Sequence, residues 1–151
     1  MVPFKKILWP TDFSEPSFKA LQAANELAVH FKAHLYAVHV VAPIPVPSAP
    51  SGPTSFNIAV YKDNLDTSAK KALQDVMKNR ISQDLEKTPV VTHGNAADEI
   101  VRIADEQKVD LIVLATHGLT GVRHFISGSV AEKVVRISNH PVLTIRASQK
   151  E

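Results

Sequence analysis

Short apolar runs alternate along this chain with longer stretches in which apolar residues recur every three or four positions. Ile7-Leu8-Trp9 is of the first kind and reads as a strand that stops at Pro10. Phe18, Leu21, Ala24, Ala28 and Phe31 are of the second kind and predict a helix. Ser14 can cap it, and Pro16 is tolerated in its first turn, where backbone N–H groups lack partners in any case. Leu35 to Val41 is apolar at nearly every position, as a strand covered on both faces of a parallel sheet requires. A long helix over roughly 59–86 follows, with Leu65, Ala69, Leu73, Met77, Ile81 and Leu85 on one stripe and Met77 as core filler. Pro89 to Thr92 reads as a short strand. Ala97, Ile100, Val101 and Ala104 mark a further helix, with Asp98 and Glu99 placed favourably for its dipole. Asp110 leads into Leu111-Ile112-Val113-Leu114, the clearest buried strand. A last helix over 129–138 is followed by His140-Pro141 and a strand from Val142 to Ile145.

This alternation predicts a parallel sheet with helices on both faces. Right-handed crossovers with one reversal of direction give the strand order 3-2-1-4-5. Strands 1 and 4 are then neighbours, and ligands in such sheets bind outside their carboxyl ends, at the switch point. Residues 42–58 break the rhythm with five of the ten prolines, Pro43, Pro45, Pro47, Pro50 and Pro53. They read as a mobile surface loop and not a domain linker, since the roughly 40 residues before them are too few to fold alone. All 151 residues are therefore expected to form a single domain.

Composition narrows the chemistry. The chain has no cysteine, which excludes disulfides, thiolate catalysis and cysteine-ligated metals. Its net charge is +2, with Lys and Arg scattered, so neither a nucleic-acid nor a membrane partner is expected. The first residues lack the apolar core of a signal peptide, and no apolar run approaches the ~20 residues of a membrane span. A cytoplasmic protein is the expectation.

Three of the five glycines, Gly118, Gly121 and Gly128, fall inside ATHGLTGVRHFISGSVAEKVV, residues 115–135. Glycines let a backbone turn with positive φ and approach a ligand closely. Ser129 stands where the last helix begins, and free N–H groups there favour an anion. Ser129-Val130-Ala131-Glu132 also fits a capping box, which needs no ligand. Neither GxxxxGK[ST] nor GxGxxG is present, so a bound phosphate would rest mainly on backbone amides and hydroxyls. His30 and His34 lie either side of a helix end, and no HExxH occurs, so no metal site is expected. His117 and His124 lie in or beside the loop, where with Arg123 they could meet phosphates. No G-x-S-x-G elbow exists, and no catalytic residue is assigned.

Pro10-Thr11-Asp12-Phe13-Ser14, His39-Val40, THGLTG, GSVAEKVVR and HPVLTI together resemble the universal stress protein family, over Ile7 to Ile145. The nucleotide-binding branch of that family carries G-x2-G-x9-G-[ST] after strand 4. Here Gly118, Gly128 and Ser129 match that pattern and Ala115 replaces its first glycine. The resemblance implies a flavodoxin-like domain (adenine nucleotide alpha hydrolase-like) that binds ATP, or AMP or ADP, with Mg2+ held through the phosphates. It places Asp12 and Val40 at the adenine end, with Pro10 and Thr11 lining the same pocket. Ala115 and Gly118 would lie along the ribose and phosphates, Thr116 and His117 between them are assigned to the same ATP site, and Gly128, Ser129 and Val130 would hold the phosphates. Arg123 and His124 are added as candidate phosphate contacts. Val142, Leu143, Thr144 and Ile145 would form the edge of a homodimer, because an exposed apolar edge needs covering. The implied function is a nucleotide-binding stress-response regulator. A dimeric interaction module without nucleotide and a slow ATP hydrolase are the alternatives.

Overall fold

The computed structural model describes residues 3–43, 58–116 and 129–147. Five strands, β1 (Lys6–Pro10), β2 (His34–Val41), β3 (Lys87–His93), β4 (Leu111–Thr116) and β5 (Val142–Arg146), form one sheet in the order β3-β2-β1-β4-β5. Every neighbouring pair is parallel. The helices are α1 (Glu15–Phe31), α2 (Ile58–Arg80), α3 (Ala96–Gln107) and α4 (Ser129–Ile137). This is the expected flavodoxin-like topology, with β1 and β4 side by side at the reversal of strand order.

Side chains that alternate along the strands divide the core into two layers. Ile7, Trp9, Leu35, Ala37, Leu111 and Val113 face α1 and α2. Leu8, Tyr36, Val38, Ile112 and Leu114 face α3 and α4. A strand buried on both faces gains by being apolar at every position, which explains the unbroken run Leu35–Val38.

Local chemistry sets the helix ends. Ser14 caps α1 by accepting a hydrogen bond from the Ser17 N–H at 3.4 Å, and Pro16 sits in the first turn. Asn95 caps α3 in the same way, accepting from the Asp98 N–H at 3.2 Å. Both helices end in a left-handed lysine, Lys32 (φ 52°) and Lys108 (φ 53°), where glycine is the commoner choice. A cation there complements the helix dipole.

The second helix ends earlier than its apolar stripe predicts. It stops at Arg80, yet Ile81 is buried and Leu85 half-buried, so the stripe runs past the helix into the turn. Asn25 of α1 holds that turn: its Oδ1 accepts from the Ser82 N–H at 2.9 Å and its Nδ2 donates to the Ser82 Oγ at 3.1 Å. These bonds give the released backbone a partner 57 residues away.

The two sheet edges differ. The edge strand β3 carries the exposed Pro89 as its third residue and Lys87 at its start. Along β5, the opposite edge, Leu143 and Thr144 are exposed while Val142 and Ile145 are half-buried. Among the described residues no helix is long and apolar enough to cross a membrane.

Candidate functional site

Where β1 and β4 end side by side, a cleft opens to solvent. Its apolar surfaces come from Val38 and Val40 of β2, Leu114 of β4 and Ile100 of α3. Pro10, Thr11, Asp12 and Ser14 form one rim, and Ala115, Val130 and Ala131 the other. About 590 Å³ of non-atom space lies between them, open solvent at the mouth included, so the site is a cleft and not a sealed cavity. An apolar interior with a few polar groups at the rim is the usual make-up of a small-molecule site.

Six of the sequence-assigned residues line this cleft: Pro10, Thr11, Asp12, Val40, Ala115 and Val130. They come from four separate segments, which the sheet topology brings together. Thr116 ends β4 half-buried, and Ser129 opens α4 exposed to solvent; neither is part of the lining. Glu132, in the first turn of α4, lies 3.4 Å from Arg136. His117, Gly118, Arg123, His124 and Gly128 lie outside the described residues, as does most of the 42–58 loop.

Sequence reasoning missed Ser14, Ser17, Val38, Ala96, Ile100, Leu114 and Ala131 as cleft residues. The signal for some of them was present. Val38 shares a face of β2 with Val40, two positions on, and Ala96 and Ile100 sit one turn apart at the start of α3.

The rim after β1 is held by a dense set of hydrogen bonds. The Thr11 N–H donates to the Val38 carbonyl at 2.8 Å, tying the rim to β2. The Thr11 carbonyl accepts from His39 Nδ1 at 2.8 Å, which fixes that nitrogen as the protonated one. Phe13 takes up a left-handed backbone (φ 63°), uncommon for an aromatic residue, and its ring lies 4.6 Å from the His39 ring. Asp12 is exposed, and its Oδ1 accepts from the Ser14 N–H at 3.0 Å and from the Ser14 hydroxyl. An aspartate that bonds the backbone two residues on makes an Asx-turn, so the carboxylate shapes its own loop at the mouth of the cleft.

Ala115 occupies the position of the first motif glycine. Its backbone borders the cleft, but strand alternation turns its methyl to the other side of the sheet. There, with its β5 partner Ile145, it packs against the core layer under α1.

The far wall is braced electrostatically. Lys133 of α4 reaches α3 at Asp98 Oδ1, 2.9 Å away, and at the cap Asn95 Oδ1, 3.3 Å away. Glu99, in the first turn of α3, accepts from Arg102 at 2.9 Å and from Thr92 Oγ1 at 2.5 Å. The hydrogen bond from Arg102, then that from Thr92, holds the Glu99 carboxyl below its ordinary value of 4.5, with slight burial opposing. A carboxylate depressed on folding stabilises fully above its unfolded value and loses that contribution as pH falls through the lower folded value. Thermal unfolding of the wild type and of Glu99→Gln, followed from pH 7 to pH 3, is therefore expected to show the wild-type advantage shrinking below about pH 4.5. A gap that stays constant over that range would refute the assignment.

Comparison with known proteins agrees with this arrangement. The model of the universal stress protein family matches residues 3–146. Universal stress protein MJ0531 of Methanocaldococcus jannaschii is 34% identical over 148 residues, covering 98% of this chain and 85% of its own. The solved structure of protein MJ0577 superposes with a TM-score of 0.78 at 28% identity, covering 99% of this chain and 100% of its own. Two more distant structures share the fold at 22% identity. One is a universal stress protein in complex with cAMP (TM-score 0.68), covering 97% of this chain and 100% of its own. The other, from Archaeoglobus fulgidus, is in complex with dAMP (TM-score 0.59), covering 96% and 99%. A family match that runs from the residues before β1 to the last residue of β5, over a sheet of the expected order, leaves one assignment: this chain belongs to the universal stress protein family.

Proposed function

We propose that the chain binds an adenine nucleotide, ATP foremost, in the cleft between β1 and β4, and that it serves as a dimeric cytoplasmic regulator in a stress response. The observation that carries this reading is convergence. Residues 10–12, 40, 115 and 130, far apart in sequence and assigned to one ligand by the family resemblance, border one cleft at the switch point. Val38, Val40, Ile100 and Leu114 supply apolar surface for a flat base, and Asp12 an acceptor at the rim. The phosphates would run toward Gly118, Gly128 and Ser129, with Mg2+ held through them. Two proteins of the same fold are named as complexes of adenine nucleotides, and the chemistry of this cleft fits that class.

Calorimetric titration with ATP, AMP and GTP, with and without magnesium, tests the proposal. Micromolar binding of ATP is expected, weakened in Ser129→Ala. Absence of both heat and thermal shift at millimolar nucleotide would leave the dimeric interaction module as the better account. Because the Ala115 methyl packs away from the cleft, Ala115→Gly is expected to change ATP affinity less than about threefold, under 1 kcal/mol. A gain of tenfold or more would mean that the methyl does obstruct the ligand.

The dimer is proposed through β5, whose Leu143 is 37% exposed beside Thr144 on an open edge. Sedimentation of the wild type is expected at twice the chain mass, and of Leu143→Asp at the mass of one chain. A wild type that sediments as a single chain at high concentration would refute the edge pairing.

A further inference from the structure

We infer that Ser17, a residue no ligand motif singles out, is the positioning residue of the base-binding rim and sets the preference of the cleft for adenine over guanine. The inference rests on the proposed nucleotide site and concerns how that site is held in shape.

Ser17 is 6% exposed, lies in the first turn of α1 and borders the cleft. Its carbonyl, N–H and hydroxyl are all bonded, to Trp9 of β1 and to two groups of Ser14. Its carbonyl accepts from Trp9 Nε1 at 2.9 Å, joining it to the end of β1. Its N–H donates to Ser14 Oγ at 3.4 Å, and that hydroxyl donates in turn to Asp12 Oδ1. Its own hydroxyl donates to the Ser14 carbonyl at 2.8 Å.

This last bond fixes the direction of another. Thr11 Oγ1 and Ser17 Oγ lie 2.8 Å apart, and the Ser17 proton is already committed to Ser14, so Thr11 must donate to Ser17. Thr11 Oγ1 accepts from the Phe13 N–H at 2.9 Å. A directed chain results, from the Phe13 N–H through the Thr11 and Ser17 hydroxyls to the Ser14 carbonyl. It helps hold Phe13 in its left-handed backbone, and it occupies the Thr11 hydroxyl as both donor and acceptor.

The rim is thus a bonded unit with Ser17 at its root, and Asp12 takes its orientation from that unit. A carboxylate acceptor suits the exocyclic amino group of adenine, whereas guanine presents a carbonyl oxygen at the same ring position. Misplacing Asp12 therefore costs adenine a bond while relieving guanine of a repulsion. Removal of the Ser17 hydroxyl leaves Thr11 a buried donor without its acceptor, and the rim is free to rearrange.

The test measures ATP and GTP affinities by calorimetry for the wild type, Ser17→Ala and Ser17→Cys, with thermal unfolding of each. Ser17→Ala is expected to weaken ATP about tenfold and to lower the ATP-to-GTP preference at least about fivefold. Ser17→Cys, similar in size with a weaker hydrogen-bonding group, should move both in the same direction by less, and it carries the test if the alanine variant does not fold. Equal weakening of ATP and GTP, with a lower unfolding temperature, would mean a purely structural role and overturn the inference. So would unchanged affinities in both Ser17 variants. If the wild type binds no nucleotide, the site itself fails and this inference falls with it.

Discussion

Shortening Ile112 to alanine is expected to lower the free energy of unfolding by about 3–4 kcal/mol, read from the urea midpoint at an unchanged slope. Ile112 is fully buried in the second strand from the β5 edge, paired with Leu8 of β1 on one side and Val142 of β5 on the other. Its side chain points into the layer beneath α3 and α4, among Ile100, Ile103, Ala131 and Val134. Neighbours hydrogen-bonded on both sides keep the backbone from collapsing into the space left behind. The loss therefore combines the transfer of the missing carbons with an unfilled cavity. A change below about 1 kcal/mol would mean that α3 and α4 close the gap, and that this layer is far looser than its packing implies.

The second large effect concerns binding and leaves the core intact. Val40→Trp is expected to weaken ATP by at least about thirtyfold, roughly 2 kcal/mol, while shifting the unfolding temperature by no more than a few degrees. Val40 is half-buried near the carboxyl end of β2 and borders the cleft on the same face as Val38. An indole there has solvent on one side and the proposed base site on the other, so it can fill that site without displacing buried neighbours. Calorimetry beside a thermal melt separates the two effects. Unimpaired binding by a folded Val40→Trp would place the base elsewhere and refute the assignment of this end of the cleft.

The fold was legible in the sequence because its main determinant is burial, which sequence periodicity records. Leu111 to Leu114 must be a strand covered on both sides, and the helical spacing of Phe18, Leu21, Ala24 and Ala28 must be a helix with one buried face. Where tertiary bonds decide, the sequence is mute. The apolar stripe over Ile81 and Leu85 gave no sign that α2 stops at Arg80, because Asn25 on another helix holds the turn. The left-handed ends at Lys32 and Lys108 were equally hidden, since no glycine announces them. The cleft was half legible. Its rim residues carry a motif, whereas Ile100, Leu114 and Ala131 are ordinary core residues whose exposed sides happen to meet at the mouth of the site. Ser17 was invisible for a related reason, since its role lies in bonds that only the folded loop creates.

The difference between the sheet's two borders bears on stoichiometry. Pro89 has no N–H to offer a further strand, and in a border strand its ring normally faces outward; with Lys87 beside it, the β3 border resists extension. In the proposed dimer the β5 border alone would take a copy of itself, and a pairing of like with like about a two-fold axis uses up the surface that made it. Such an assembly would end at two chains. A sheet open at both borders would instead permit head-to-tail addition without limit, so in the proposed dimer the proline at one border would guard against filaments that the apolar strand at the other would otherwise invite.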